Sequence, residues 1–545
     1  MTESAPVEPA SRSKNLALVA MMFAVAMTFI DQTIVAIASP NIQSELSLSR
    51  GGTQWVVNAY LLALAATFAL GGRLADVLGR RRMVLIGIVG FAGFSALCGA
   101  TPKGSFAEAW IITFRALQGV SGAIMIPAAL AIVVAAFPIQ ERGRALAIFF
   151  GVSGGLTAIG PILGGYLTQW TWRAIFWINV PVAIIALVLT LMATIPATRK
   201  REPIDWLGAA LTIFGMGLSV LGFQEAPSWG WDNPGTWLCI VGGLAILALF
   251  VRIEARTEYP LIRVQVFRDR AFVIDNVVLF LSMIAFVPIF FFASVYSQVS
   301  LGYDASNAGL YLLVFFAGFA PAAQVGGRML DSGGARRPVV LGCAVGTAGF
   351  ALWAWKITDL SLAAQWPYIV IAGAGIGLLL GPASTDAVNR AIGASYGEVT
   401  GITQTVRNYA SALGIAVLGT ALTTVLTHRL TSSFTGLGLP ASAAEAAANG
   451  SVGQGSGGVP DSVPARLRGA IQDAVAGDFA TATRAVLIGM TIALGAAFLV
   501  SLAHPGRRAP SAPPGAEGAE AAESPNRPNP PPEPRAAARC GTVAR

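Results

Sequence analysis

The sequence predicts an all-α membrane protein of fourteen spans, two six-helix bundles with two additional transmembrane helices between them. Three observations predict this. The 545 residues are 54% hydrophobic and only 12% charged, whereas an ordinary soluble domain carries about 25% charged residues; mean hydropathy is +0.65. The apolar residues gather in runs of about 20, the length that crosses a hydrocarbon core of roughly 30 Å. A charged segment between two such runs, Gly72–Arg82, recurs in looser form at Gly327–Arg337. In both copies a Gly stands four before an Asp, and a second Gly follows three after it. A membrane chain that repeats itself in this way reads as two related bundles.

Taken in order, the spans fall at about 16–38, 54–72, 84–101, 109–137, 145–168 and 174–194 for the first bundle. The second bundle reads as about 271–297, 306–327, 338–356, 367–389, 401–426 and 482–503. The two copies of the charged segment close spans 2 and 10. Two bundles of six alone would put them after spans 2 and 8, so two extra spans lie between, at about 206–224 and 236–251; a pair of re-entrant segments is the alternative there. The chain divides into an N-terminal tail 1–15, a first bundle 16–194, a linker 195–270 with its two helices, a second bundle 271–503, and a tail 504–545. The first apolar run is too long for a cleaved signal peptide and lacks an A-x-A-like site, so it is expected to remain as a helix.

Most of the 36 Lys and Arg residues fall in loops on one side of this layout, which predicts that both termini are cytoplasmic. Eleven of the 12 tryptophans fall near the opposite helix ends, as an interfacial belt requires. Residues 428–481 read as an outer loop. Within it Val463, Leu467, Ile471 and Val475 recur every four residues, with Asp461 or Ser462 as N-cap, which predicts a short amphipathic helix on the outer surface. The Pro-rich tail 505–545 is expected to be disordered. The net charge of +8 comes from Arg beside helix ends and does not argue for nucleic acid. Cys98, Cys239, Cys343 and Cys540 imply no disulfide framework.

Asp31 and Arg115 are the candidate chemistry. Counting about 1.5 Å per residue, both lie about 8–9 Å from the outer face, on spans 1 and 4. Intramembrane ionisable groups are costly and face a partner or an aqueous path. A static ion pair is the plain reading. The functional one is a carboxylate that alternates between a proton, Arg115 and a substrate, since desolvation favours its neutral form and Arg115 its charged form. Asp76 with Gly72, Gly79 and Arg80, repeated at Asp331, reads as a latch at an inner gate, because stop-transfer charge alone needs neither the glycines nor the acid. Gly160, Pro161, Gly164 and Gly165 on span 5 read as a hinge or seal between bundles. Asp275, Asp386 and Arg407 lie within about 10 Å of the inner face, where helix pairing is the commoner role. Phe286, Phe290 and Tyr296 are candidate walls of a substrate cavity.

These motifs together resemble the fourteen-spanner drug:proton antiporters of the major facilitator superfamily, over essentially all of residues 16–503. Ile30-Asp31-Gln32-Thr33-Ile34-Val35 through Pro40 is similar to the first-helix motif of that branch. Ile111 through Arg115, with Gln118 and Gly119, is similar to the fourth-helix motif whose arginine is associated with proton transfer. Gly160-Pro161 with Gly164-Gly165 resembles the fifth-helix antiporter motif, and Asp205-Trp206-Leu207-Gly208 looks like this same branch. The chain departs from the pattern at Ala36 and Ser39, where Asn and Leu are usual, and at Leu156, where a Gly is expected. The lack of membrane acids in spans 10 and 13 points away from divalent cations, toward monovalent, neutral or zwitterionic substrates.

The resemblance implies proton-coupled export of hydrophobic drugs or antibiotics across a bacterial cytoplasmic membrane, by a monomer that uses the proton gradient and no cofactor or metal. The alternative is a dedicated exporter of one endogenous metabolite. None of Lys14, Lys103, Lys200 and Lys356 sits in a phosphate-binding Gly-Lys-Ser/Thr loop, which disfavours an ATP-driven pump. His428 and His504 read as helix-end residues with no metal-ligand cluster, which disfavours an enzyme.

Overall fold

The computed structural model describes residues 11–137, 145, 148–149, 159–195, 203–262, 264–389, 396–453 and 468–506. All regular elements among them are helical, and 13 helices are long and apolar enough to cross a membrane. The expected span 145–168 is described only at 145, 148–149 and 159–168, and its described end is helical.

The first bundle comprises α1 (Ser11–Leu46), α2 (Arg50–Leu78), α3 (Arg80–Gly99), α4 (Ala107–Ala136), α5 (159–170), α6 (Ala174–Trp177) and α7 (Asn179–Met192). The second comprises α10 (Arg270–Val299), α11 (Ala305–Gly333), α12 (Arg336–Lys356), α13 (Leu362–Asn389), α14 (Tyr396–Gly436) and α16 (Arg468–Leu502), with the short α15 (Ala441–Gly453) against α14. Packing repeats along with the sequence. α4 packs on α2 and α3 in the first bundle, and α13 packs on α11 and α12 in the second. The helices outrun the apolar spans by a turn or two because their polar ends continue the same backbone ladder beyond the apolar stretch.

Between the bundles stand α8 (Trp206–Trp229) and α9 (Pro234–Glu254), packed on each other. At 24 and 21 residues they are complete spans at about 1.5 Å per residue, not re-entrant segments. Side chains start both. Asp205 Oδ1 accepts from Gly208 N at 2.8 Å, and Asn233 Oδ1 accepts from Gly235 N at 2.8 Å with Pro234 in the first turn. Each cap satisfies a backbone donor that the helix start leaves orphaned. α8 touches both bundles. Trp55 Nε1 donates to Glu225 Oε1 at 2.9 Å, Asn58 donates to Gln224, and Thr420 Oγ1 donates to Phe223 O at 2.6 Å.

The structure corrects three expectations. Residues 428–481 are not a loop carrying a surface helix. α14 runs on to Gly436, and α16 begins at Arg468 and continues without a break through the last span. Ile471 and Val475 are buried on α16, so their four-residue spacing marks a packed face of a transmembrane helix; Val463 and Leu467 lie outside the described residues. His428 lies within α14, not at its end. Trp172 and Trp353 are buried, unlike the exposed Trp170, Trp177, Trp229, Trp231, Trp237, Trp355 and Trp366. Trp172 turns inward because its Nε1 donates to Glu45 Oε2 at 2.7 Å, which satisfies the indole without an interface. Of the four cysteines, Cys98, Cys239 and Cys343 are free thiols and Cys540 is outside the described residues.

Candidate functional site

Asp31 and Arg115 meet. Arg115 Nη1 donates to Asp31 Oδ2 at 2.6 Å, and both side chains are sealed from solvent. α4 is placed for this by its first turn. Glu108 accepts from Ser49 N at 3.0 Å and from Ser49 Oγ at 3.1 Å, while Ser49 caps α2 by accepting from Gly52 N at 2.8 Å. Arg115 then follows two turns into α4, opposite α1. Gln118 sits one turn further on the same face. Its Nε2 donates to Asp31 Oδ1 at 3.1 Å and its Oε1 accepts from Arg115 Nη1 at 2.7 Å. Arg115 Nε donates to Val56 O at 2.8 Å, and its guanidinium lies 4.5 Å from the Tyr60 ring centroid. A buried charge persists only when it is paired and hydrogen-bonded in this way. Val56 and Tyr60 carry no sequence signal for this role; the i, i+3 spacing of Arg115 and Gln118 was the legible part.

The fifth-helix glycines face two directions. A Cβ on Gly160 would strike Thr33 on α1, and one on Gly165 would come within 2.7 Å of Ala305 O on α11. Pro161 faces Gly309 of α11. This end of α5 therefore wedges between α1 of one bundle and α11 of the other, where only small residues fit. Gln298 Nε2 of α10 donates to Ile37 O of α1 at 3.1 Å at the same end, so the bundles are in contact there.

At the opposite end both copies of the charged segment turn on their second glycine. Gly79 has φ +105° and Gly334 has φ +81°. Gly79 N donates to Ala75 O at 3.1 Å and Gly334 N to Leu330 O at 2.9 Å. Each closes one helix and lets the next begin at once, in a conformation that costs any other residue. Asp76 pairs with Arg80 across this turn at 3.3 Å, and Arg80 Nη1 reaches Ala131 O of α4 at 3.4 Å. Gly72 approaches Pro127 of α4. These partners of Asp76, Arg80 and Gly72 all belong to the first bundle. Asp331 occupies the last turn of α11.

Between α1 and the second bundle lies a cavity of about 70 Å³, walled by Phe286, Phe316 and Phe319 and by Gln32, Gln404 and Arg407. Phe286 stacks on Phe319 with centroids 5.5 Å apart. Of the three aromatic residues expected to wall a cavity, Phe286 alone does so. Phe290 sits behind it against Phe316, and Tyr296 donates to Ile357 O at 2.6 Å, away from the opening. Phe290 misses it because it lies one turn further along the same face of α10, and Tyr296 because it lies nearly three turns further and on another face. Arg407, expected to pair helices, instead faces this cavity, where its Nη1 donates to Gln404 Oε1 at 2.9 Å.

A second charged cluster was not legible. Asp275 of α10, Asp386 of α13 and His504, just past α16, converge with ligand atoms within 4.8 Å of one another. His504 Nε2 lies 3.4 Å from Asp275 Oδ1 and 3.3 Å from Asp386 Oδ2. Burial alone would pull the imidazole down, but the hydrogen bonds and charges of the two carboxylates outweigh it and raise it to about 9. The group ties three helices together as an ion-paired cluster. More than 100 residues separate each of its members from the next, so no spacing pattern announces it.

Residues 21–415 match the Major Facilitator Superfamily. The chain is 32% identical over 506 residues to the tetracenomycin C resistance and export protein of Streptomyces glaucescens, which covers 90% of this chain and 93% of that one. It is 33% identical over 428 residues to the puromycin resistance protein pur8 of Streptomyces alboniger, covering 77% of this chain and 84% of that one. Among solved structures, an inward-facing bacterial homologue of the human lysosomal transporter Spinster superposes with a TM-score of 0.60 at 17% identity, over 92% of this chain and all of that one. A D-xylose-proton symporter does so with a TM-score of 0.55 at 12% identity, over 82% of this chain and all of that one. The likeness to those structures is one of fold. With the family matched over most of its length and the helical repeat it requires in place, the chain is a transporter that belongs to the Major Facilitator Superfamily.

Proposed function

We propose that this transporter exports hydrophobic small molecules, drugs or antibiotics among them, in exchange for protons across the cytoplasmic membrane. The observation that carries the reading is the sealed pair of Asp31 and Arg115, 2.6 Å apart on two helices of one bundle. The carboxylate is the partner that takes up a proton in this reading. When Asp31 takes a proton, the salt bridge loses its negative half and Arg115 keeps only its bonds to Gln118 and Val56 O. The two arrangements differ in how α1 is held against α4. α1 also lines the cavity through Phe29 and Gln32, so a change of its position is felt where substrate would sit. The residues around Gly79 and Gly334, and the α5 wedge at Gly160 and Pro161, stand at opposite ends of the bundles and serve as the two gates. The names of the relatives, which concern resistance and export, support the direction.

The test is proton flux in inside-out vesicles holding the full chain and an imposed gradient. Aromatic compounds should draw protons through the wild type and none through Asp31→Asn, with the variant inserted at the same level. Flux that persists in the variant would end the proton-exchange reading. The second reading, a dedicated exporter of one compound, is favoured by relatives named for single antibiotics. A response to one compound in a broad panel would select it.

A further inference from the structure

We propose that the central cavity selects flat aromatic anions, and that Arg407 is the residue that sets this charge preference. The inference rests on the reading of this cavity as the substrate site of an exporter.

The two fully buried cations described above have counter-charges, whereas Arg407 is only part-buried at the cavity wall. Arg115 has Asp31, and His504 has Asp275 and Asp386. Arg407 has none among the described residues. Its Nη1 donates to the neutral Gln404, and its Nε is buried with no hydrogen-bond partner. The lining of the cavity contains no carboxylate; its polar members besides Arg407 are Gln32, Gln404, Asn408 and Ser411, all uncharged. A guanidinium has five donors in a fixed fork, and here most of them remain unmatched. Such a group inside a membrane protein is expensive and marks a place where something else completes it. A carboxylate or phenolate on the substrate completes it, two-pronged against the fork. A cation brought to the same cavity would meet the same charge with nothing to offset it.

The rest of the wall specifies the rest of the ligand. Phe286, Phe316 and Phe319 form an aromatic face, with Phe286 and Phe319 stacked at 17°. Offset stacking against such a face suits a planar ring system. The cavity is about 70 Å³, below the roughly 300–1,000 Å³ of ligand pockets, so the aromatic wall must draw back from Arg407 to admit the ligand. Gln32 brings α1, the helix of Asp31, to the edge of the same space. An anion on Arg407 would therefore be sensed next door to the coupling pair.

The experiment is calorimetric titration of the purified full chain in lipid nanodiscs, corrected with empty nanodiscs, using two probes of the same shape and opposite charge, 2-naphthoate and 2-naphthylmethylammonium. The wild type should bind naphthoate at least tenfold more tightly. Arg407→Gln should bring the two affinities together, and Arg407→Lys should keep most of the preference, with elution profile and helicity showing that both variants fold. Equal or tighter binding of the ammonium by the wild type, an unchanged ratio in Arg407→Gln, or no saturable binding of either probe would overturn the proposal. Asp31→Asn separates it from the exchange reading. That variant should keep the naphthoate preference while losing gradient-driven flux, and if wild-type flux fails while the preference stands, exchange falls and the anion site does not.

Discussion

The two bundles hold arginine in opposite ways. In the first, Arg115 is enclosed by a carboxylate, an amide, a carbonyl and an aromatic face. In the second, Arg407 has one amide oxygen and a cavity wall. In the proposed exchange, the first arrangement changes when its carboxylate takes a proton. The second is incomplete until something enters. On the readings proposed above, the repeated scaffold separates two tasks, driving the cycle and recognising the load, and what distinguishes them is the presence or absence of a counter-charge.

The largest expected effect breaks the first arrangement. Asp31→Asn keeps the shape and removes the proton-binding group, so gradient-driven flux in inside-out vesicles should fall to the level of vesicles without the protein. Next, stability should separate the two arginines. Asp31→Leu strands Arg115, which cannot shed its charge, and should cost about 3–5 kcal/mol. Arg407→Leu removes a cation that has no partner to strand, and should leave stability unchanged or raised. Thermal melts of the two variants in one detergent give the comparison, and equal losses would mean that Arg407 is compensated after all.

A third measurement sharpens the contrast within the second bundle, where His504 is paired and Arg407 is not. His504 is raised to about 9 from 6.5, so its contribution to stability is complete below about pH 6.5 and fades as pH rises through about 9. The difference corresponds to about 3 kcal/mol. The wild type should lose stability over that window; a wild type that is flat there would show that the imidazole is not held charged. The smallest effects concern what the bundles share. Gly79→Ala and Gly334→Ala should each cost about 1–3 kcal/mol, by similar amounts, because both residues turn the chain at positive φ. A cost at one position alone, read from melting temperature, would show that the two turns are alike in sequence only.

Much of this was legible beforehand. Runs of about 20 apolar residues have one low-energy outcome in a bilayer, so the spans could be placed. Asp31 and Arg115 could be paired because helix rise converts residue number into depth. Depth, however, says nothing about rotation. That is why Tyr296 was grouped with Phe286 although it points elsewhere, and why Arg407 was assigned to helix pairing when it faces the cavity. Ile471 and Val475 show a related failure. Their periodicity is the same whether the helix lies on a membrane or runs through it, and only the neighbours decide.

The sequence by itself determined that the chain is a helical membrane protein built as a repeat, with a glycine turn at Gly79 and a charged pair between its first and fourth spans. Those features follow from hydrophobic length, backbone freedom at glycine and helix rise, all of them local. Only the tertiary structure decided that Asp275, Asp386 and His504 form one cluster, that the partners of the α5 glycines are Thr33 and Ala305, and that Arg407 stands in the cavity without a counter-charge. Each of these depends on which faces of distant helices meet. That is set by the packing of whole bundles and not by any segment read alone.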